Sequence, residues 1–302
     1  MTRRVSPQCT MMSFVIRRLV KARSRGHIDV PYVRRWIRFL MGVHNLSLFN
    51  VSFAPVHEQG IRAEWALPPK GSSCRAILYF HGGGYFFCSP ETHRPITAGL
   101  AHFSGAQTLA VRYRLAPEHP YPAALEDGLN AYRWLRDRGF RPDQIALAGD
   151  SAGGGLALAI LIALRDQGEP LPAAATVFSP WTDLACTGHS LDHNDRHCIM
   201  FSGEGIRRAV NLYVGQEDPR HPTLSPLYAD LSGLPPLLLH VSDNEVLLDD
   251  STRFARKAQQ HGVTTRLKVW QGQPHVWQLF APVMPEGRQS LAEAGEFIRR
   301  FV

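Results

Sequence analysis

The chain has 302 residues and 33.7 kDa, with 44% hydrophobic and 20% charged residues, which suits one large packed body and excludes a disordered or fibrous chain. Its formal charge of +7 is concentrated at the start: residues 1–40 hold ten Arg or Lys against the single acid Asp29, a balance of +9 that leaves about −2 elsewhere. A near-neutral body argues against a nucleic-acid reader, and no run of eighteen apolar residues exists to span a membrane.

Five cysteines at irregular spacing, Cys9, Cys74, Cys88, Cys186 and Cys198, fit reduced thiols and a cytoplasmic setting better than a disulfide framework. The opening Met1-Thr2-Arg3-Arg4 imitates a signal sequence, but Pro7, Gln8 and Thr10 and then Arg17 and Arg18 interrupt any apolar stretch behind it.

Along residues 11–22 and 30–41, apolar residues recur at helical spacing: Met12, Val15 and Leu19, then Val33, Trp36, Ile37 and Leu40. Two basic amphipathic helices are expected within a segment of residues 1–45. They either pack on the body or touch an anionic membrane surface.

From there to residue 302 the pattern is one of short apolar runs alternating with helical stretches. Residues 76–80, 108–112, 145–148, 175–178, 237–241 and 265–270 read as buried strands, and residues 123–138 and 154–166 as helices between them. This alternation predicts an α/β fold with a mostly parallel sheet covered by helices. Residues 187–215 break the rhythm and read as an insertion over a sheet edge. Within it His189, His193 and His197 recur every four residues, a spacing that metal ligands can use, but Gly188 and Asn194 weaken a helix there and no His-Glu-x-x-His occurs. A solvated loop without metal is expected.

Gly149-Asp150-Ser151-Ala152-Gly153 fits G-x-S-x-G, the turn in which a strand reverses into a helix and lifts a serine hydroxyl above the sheet. A chance match arises in roughly one chain in ten of this length, so its setting matters: residues 145–148 supply the strand and residues 154–164 the helix. His81-Gly82-Gly83-Gly84 directly follows another strand, and its amides are bare of side chains. Backbone N–H groups of Gly82, Gly83 and Ala152 are expected to receive an oxyanion, with Ser151 as nucleophile.

In such a fold the partners follow in the order serine, acid, histidine. Of the late histidines, His240 sits in a strand run and His261 at a helix end, whereas His275 lies in a loop after the last strand. His275 is therefore the expected base. Asp243, Glu245, Asp249 and Asp250 all follow the strand ending near residue 241, and spacing does not choose among them; Asp249 and Asp250 are expected to cap the next helix. Tyr85, Phe86, Phe87, Asp150, Trp181, Tyr213 and Trp277 lie near these motifs or in the insertion and form the candidate substrate-contacting set.

Taken together, the chain resembles the hormone-sensitive-lipase-like esterases, bacterial family IV, on an α/β-hydrolase fold with a helical cap. The resemblance runs from about residue 60 to 302 and rests on His81–Gly84, Gly149–Gly154, Tyr113–Glu118, Tyr121–Asp127, Ser179–Asp183 and Asp243–Asp250. It implies that Glu245, in Glu245-Val-Leu-Leu-Asp249, stands where the family carries its catalytic aspartate, with Asp243 the reserve. It also implies a cap of residues 1–45 over a catalytic domain of residues 46–302 and short-chain acyl esters as substrates; acyl transfer on a serine requires no cofactor, and a homodimer is left open as a partner state. Amidase or lactonase activity would use the same groups, and a hormone-receptor-like binding protein would share the fold without the chemistry.

Overall fold

The computed structural model describes residues 5–21, 28–41 and 49–302. Among the described residues eight strands form one sheet: β1 (Ser52–Glu58), β2 (Ile61–Leu67), β3 (Ser72–Phe80), β4 (Ala106–Val111), β5 (Ile145–Asp150), β6 (Ala174–Phe178), β7 (Leu237–Ser242) and β8 (Thr265–Trp270). Their order is β1-β2-β4-β3-β5-β6-β7-β8, with β1, β2 and β4 antiparallel neighbours and every later pair parallel. The six expected strands are β3 to β8. Residues of β5, β6 and β7 are buried throughout, as expected of a parallel sheet covered on both faces.

The β1–β2 hairpin was not among the expected runs. Its turn residues Gln59 and Gly60 both take positive φ, the geometry of a tight two-residue hairpin, and β1 is an edge strand with Pro55 and a largely exposed face.

One face of the sheet carries α3 (Arg94–Ser104) and α9 (Pro285–Phe301); the other carries α4 (Ala123–Asp137), α5 (Ser151–Asp166) and α8 (Leu248–Gln260). Every residue of α5 from Ser151 to Leu164 is buried, so this helix is apolar all round and forms the centre of the larger core. The insertion holds α6 (Ser190–His193) and α7 (Gly203–Tyr213). Where a solvated loop was expected, His193 ends a short helix; His189, His193 and His197 are all exposed.

The two N-terminal helices are α1 (Pro7–Leu19) and α2 (Val30–Met41), while residues 1–4, 22–27 and 42–45 of the expected cap segment lie outside the described residues. Ser6 caps α1 by accepting the Cys9 N–H at 3.1 Å, and its own N–H and hydroxyl donate to Glu286 at 2.7 and 2.9 Å. Lys21 donates to the Cys198 carbonyl at 2.6 Å and Arg17 to the His197 carbonyl at 3.0 Å, tying α1 to the insertion.

Candidate active site

β5 ends at Asp150, and Ser151 opens α5 with φ of 52°, a left-handed conformation that a non-glycine residue holds only when its surroundings impose it. The flanking glycines are steric necessities. A Cβ on Gly149 would lie 2.3 Å from the Gly153 carbonyl oxygen, and one on Gly153 would lie 2.1 Å from that of Phe80. Because Phe80 pairs with Gly149 across β3 and β5, the glycine loop and the serine emerge side by side at the carboxyl ends of adjacent parallel strands.

β7 and β8 deliver the acid and the histidine to the same end of the sheet. Glu245 is fully buried. Its Oε1 accepts the Ser179 hydroxyl at 2.7 Å and the Ser242 N–H at 2.8 Å, while Oε2 accepts His275 Nδ1. A donating Nδ1 leaves Nε2 with the acceptor lone pair that a general base needs. That Nε2 is buried with no partner among the described residues, so no hydrogen bond joins it to the Ser151 hydroxyl in this geometry. Such contacts commonly tighten only when substrate is bound.

Of the four acids that the sequence left open, Glu245 alone touches His275. Asp243 is exposed, and its Oδ1 accepts the Gly272 N–H at 2.8 Å. Of the expected capping and dipole compensation by Asp249 and Asp250, the second fits, since both stand in the first turn of α8, and the capping is corrected: the residue before α8 is Leu247, with no side-chain cap bond. Asp250 instead accepts the N–H groups of Thr182 and Asp183, both at 2.8 Å, and Asp249 accepts that of Ser190 at 3.0 Å. Both carboxylates are drawn away because loops after β6 offer unpaired amides beside the start of α8. Burial, and then the neighbouring Asp183, push the Asp250 carboxyl well above its usual range.

Gly82 also departs from expectation. Its N–H donates to Asp150 Oδ1 at 3.0 Å and is already used. Asp150 further accepts the Tyr79 hydroxyl, and His93 Nε2 lies 3.2 Å from its other oxygen. Burial alone would raise the Asp150 carboxyl, but the His93 and Tyr79 contacts outweigh it and hold it below the usual carboxylate range. Gly83 and Gly84, at φ of 107° and 57°, have N–H groups with no acceptor among the described residues. Ala152, second in α5, has an N–H with no carbonyl behind it in the helix. The open donors are thus Gly83, Gly84 and Ala152.

The aromatic set divides. Tyr85 stacks on Tyr213 with ring centroids 3.7 Å apart and planes 4° from parallel, and Trp181 lies 6.3 Å from Tyr85. Phe86 is buried beside the half-buried Phe87. Two residues leave the set. Trp277 packs in a separate cluster with Cys9, Trp270 and Met284, its Nε1 donating to the Glu286 carbonyl at 3.3 Å. Asp150 lies under the glycine loop, with its carboxylate oxygens committed to protein donors.

Three neighbours of the site escaped sequence reasoning. Ser179 supports Glu245; Phe201 meets His275 edge to face at 5.2 Å; and Asn194 Nδ2 donates to the carbonyls of Asp243 and Glu245 at 3.0 and 2.9 Å. Ser179-Pro-Trp-Thr-Asp183 was a visible motif, but nothing local in it assigns the hydroxyl to Glu245. A groove of about 1350 Å³, lined by Arg38, Arg62, Arg112, Tyr113 and His119 among others, lies behind the glycine loop and includes neither Ser151 nor His275.

A strained serine at a strand-to-helix elbow, a carboxylate-bound imidazole and bare amides define a serine hydrolase of the α/β type. The α/β-hydrolase-fold family matches residues 77–279. An acetyl-hydrolase of Streptomyces hygroscopicus is 46% identical over 237 residues, spanning 78% of this chain and 79% of its own. An esterase of Acinetobacter venetianus is 38% identical over 249 residues, 82% of each chain. Among solved structures, an esterase of the bacterial hormone-sensitive lipase family superposes with a TM-score of 0.93 at 42% identity, covering 98% of both chains. The esterase EstE5, soaked with p-nitrophenyl butyrate, gives 0.92 at 41%, again over 98% of both. The chain belongs to the hormone-sensitive-lipase-like esterases of the α/β-hydrolase family and is a carboxylic ester hydrolase.

Proposed function

We propose that this esterase works by two-step acyl transfer on Ser151. His275 Nε2 takes the Oγ proton as Oγ bonds to the ester carbonyl carbon, and the carbonyl oxygen becomes the oxyanion held by the N–H groups of Gly83, Gly84 and Ala152. Collapse breaks the bond to the alcohol, which leaves with the proton from His275. A water then gives its proton to the same nitrogen as its oxygen bonds to the acyl carbon; collapse breaks the bond to Ser151 Oγ, which takes the proton back from His275, and the acid leaves. Glu245 orients the ring and balances its transient charge. The reading is carried by one observation: Glu245, itself fixed by Ser179 and Ser242, holds Nδ1 of the histidine whose other nitrogen is bare.

In this reading residues 1–45 form a cap, together with an insertion at about 187–215 of the catalytic domain of residues 46–302. The substrate is a short-chain acyl ester, a reading supported by the likeness to an acetyl-hydrolase and to an esterase soaked with p-nitrophenyl butyrate, with the stacked Tyr85 and Tyr213 and the buried Trp181 as the residues assigned to bound the acyl group. A p-nitrophenyl series from acetate to palmitate tests it: activity falls beyond butyrate or hexanoate and vanishes in Ser151→Ala, whereas a preference for palmitate sinks the short-chain assignment. A fluorophosphonate should label Ser151. Among the described residues no disulfide joins the five cysteines, which supports a reducing, cytoplasmic setting. No helix among the described residues is long and apolar enough to cross a membrane.

A further inference from the structure

Exposed large apolar side chains are not scattered over this protein. Among the described residues, seven of the nine lie in the N-terminal segment, the other two being Val269 and Val283. On α1, Met11, Phe14, Val15 and Leu19 form a stripe at i, i+3, i+4 and i+8, opposite the buried Cys9 and Ile16; Met11 is 65% and Phe14 61% exposed. On α2, Tyr32 and Phe39 stand seven residues apart on the exposed side, and Phe39 is 74% exposed. Solitary exposed apolar residues need no explanation, but two helical stripes of them do.

Arginines are interleaved with these side chains. Arg18 lies 4.9 Å over the Phe14 ring, and Arg35 and Arg38 are exposed beside Phe39. This is the pattern of a helix lying in a lipid interface, with apolar groups at the acyl boundary and cations at the phosphates. Charge also selects the partner. The first forty residues carry +9 and the rest of the chain about −2, so pairing this face with its counterpart on a second copy would bring two strongly positive surfaces together.

We infer that α1 and α2 dock on an anionic lipid surface, seating Met11, Phe14 and Phe39 at headgroup depth with Arg18, Arg35 and Arg38 on lipid phosphates. The helices are anchored to the loops around the site. Cys9 Sγ donates to Gln273 at 3.3 Å, two residues before His275, and Arg34 donates to the Phe86 carbonyl at 2.8 Å, just beyond the glycine loop. Docking would therefore hold the site beside the bilayer, where sparingly soluble esters collect. The inference does not depend on how the site residues are assigned.

Flotation of the full chain with vesicles tests it, comparing phosphatidylcholine alone with phosphatidylcholine mixed with phosphatidylglycerol. Binding is expected only with the anionic lipid and should weaken with added salt. It should fall about fivefold for each charge removed in Arg35→Gln and Arg38→Gln, and be lost in the Phe14→Ser, Phe39→Ser double variant. Hydrolysis of soluble p-nitrophenyl acetate should be unchanged in all of them, which reports an intact fold. Equal binding to neutral vesicles, no binding to either, or a dimer in solution that the double variant converts to monomer would overturn the inference.

Discussion

The carboxylate of Asp150 accepts the backbone N–H of Gly82 at 3.0 Å, so the residue immediately before Ser151 fixes the start of the glycine loop. Elbow and loop are thereby one unit, set by a buried anion that His93 and Tyr79 also hold. Asp150→Asn puts an amide N–H₂ where a donor already points, from Tyr79 or from His93. Expected is a fall in kcat of about a hundredfold, the scale of one oxyanion donor, with KM within a few-fold. Affinity for a trifluoromethyl ketone should fall in step with kcat; a loss of melting temperature alone, with kcat retained, would make Asp150 purely structural.

Glu245 and Asp243 are two residues apart and make opposite predictions. Glu245→Gln leaves the size intact but offers an N–H₂ toward His275 or Ser179, and the histidine loses its tautomer; kcat should fall about 10⁴-fold, as when the triad carboxylate of trypsin is amidated. Asp243→Asn removes the charge but keeps an amide oxygen that can accept the Gly272 N–H at the surface, and should keep kcat within a few-fold. Steady-state kinetics on both variants decides the acid.

Arg34 straps α2 to the body with Nε on the Phe86 carbonyl and Nη2 on the Ala116 carbonyl, both at 2.8 Å, and a fork onto Glu118 at 2.7 and 2.8 Å. A lysine cannot reproduce that fork. Losing two carbonyl bonds in Arg34→Lys should cost about 1–2 kcal/mol of unfolding free energy, whereas Glu118→Gln, removing a largely exposed ion pair, should cost under about 1 kcal/mol. Denaturant titration of both variants checks the order; equal losses would mean that the ion pair carries the strap.

His81 and His240 are both completely desolvated, which pulls each imidazole from 6.5 down to about 3. Between those values the unfolded chain binds protons that the native chain does not, so this contribution to stability is complete above about pH 6.5 and is lost as pH falls toward 3. Each ring contributes a slope of about 1.4 kcal/mol per pH unit in that window. Unfolding free energies at pH 7, 6 and 5 should show it, and His240→Gln should remove one ring's share of the slope whatever its effect at pH 7.

Much of this architecture is written locally. The elbow could be read because a strand, two obligatory glycines and a long apolar helix are contiguous, and β4 to β7 because burial on both faces makes them near-continuous apolar runs, whereas β8, at the sheet edge, shows only as an alternation of polar and apolar residues. The acid was different. Four carboxylates follow one strand, and the contact that distinguishes Glu245 is with His275, from the loop after a different strand, with Ser179 from a third strand's exit loop supporting it. Likewise nothing near Gly82 announces that its N–H belongs to Asp150. Trp277 misled for a local reason: Val276 takes a left-handed φ of 50°, which turns the chain and sends the next side chain to the Met284 cluster. A valine gives no warning of such a turn.

The stacked rings of Tyr85 and Tyr213 join two parts of the chain that serve different ends. Tyr85 follows the glycine loop; Tyr213 closes α7 of the insertion, and its carbonyl also accepts the Tyr121 N–H at 2.9 Å. An outward swing of that helix to admit a ligand must either slide one ring off the other or drag the loop with it. Entry and polarisation are then mechanically geared, and a bulky ester that props the helix open would be penalised in turnover as well as in affinity.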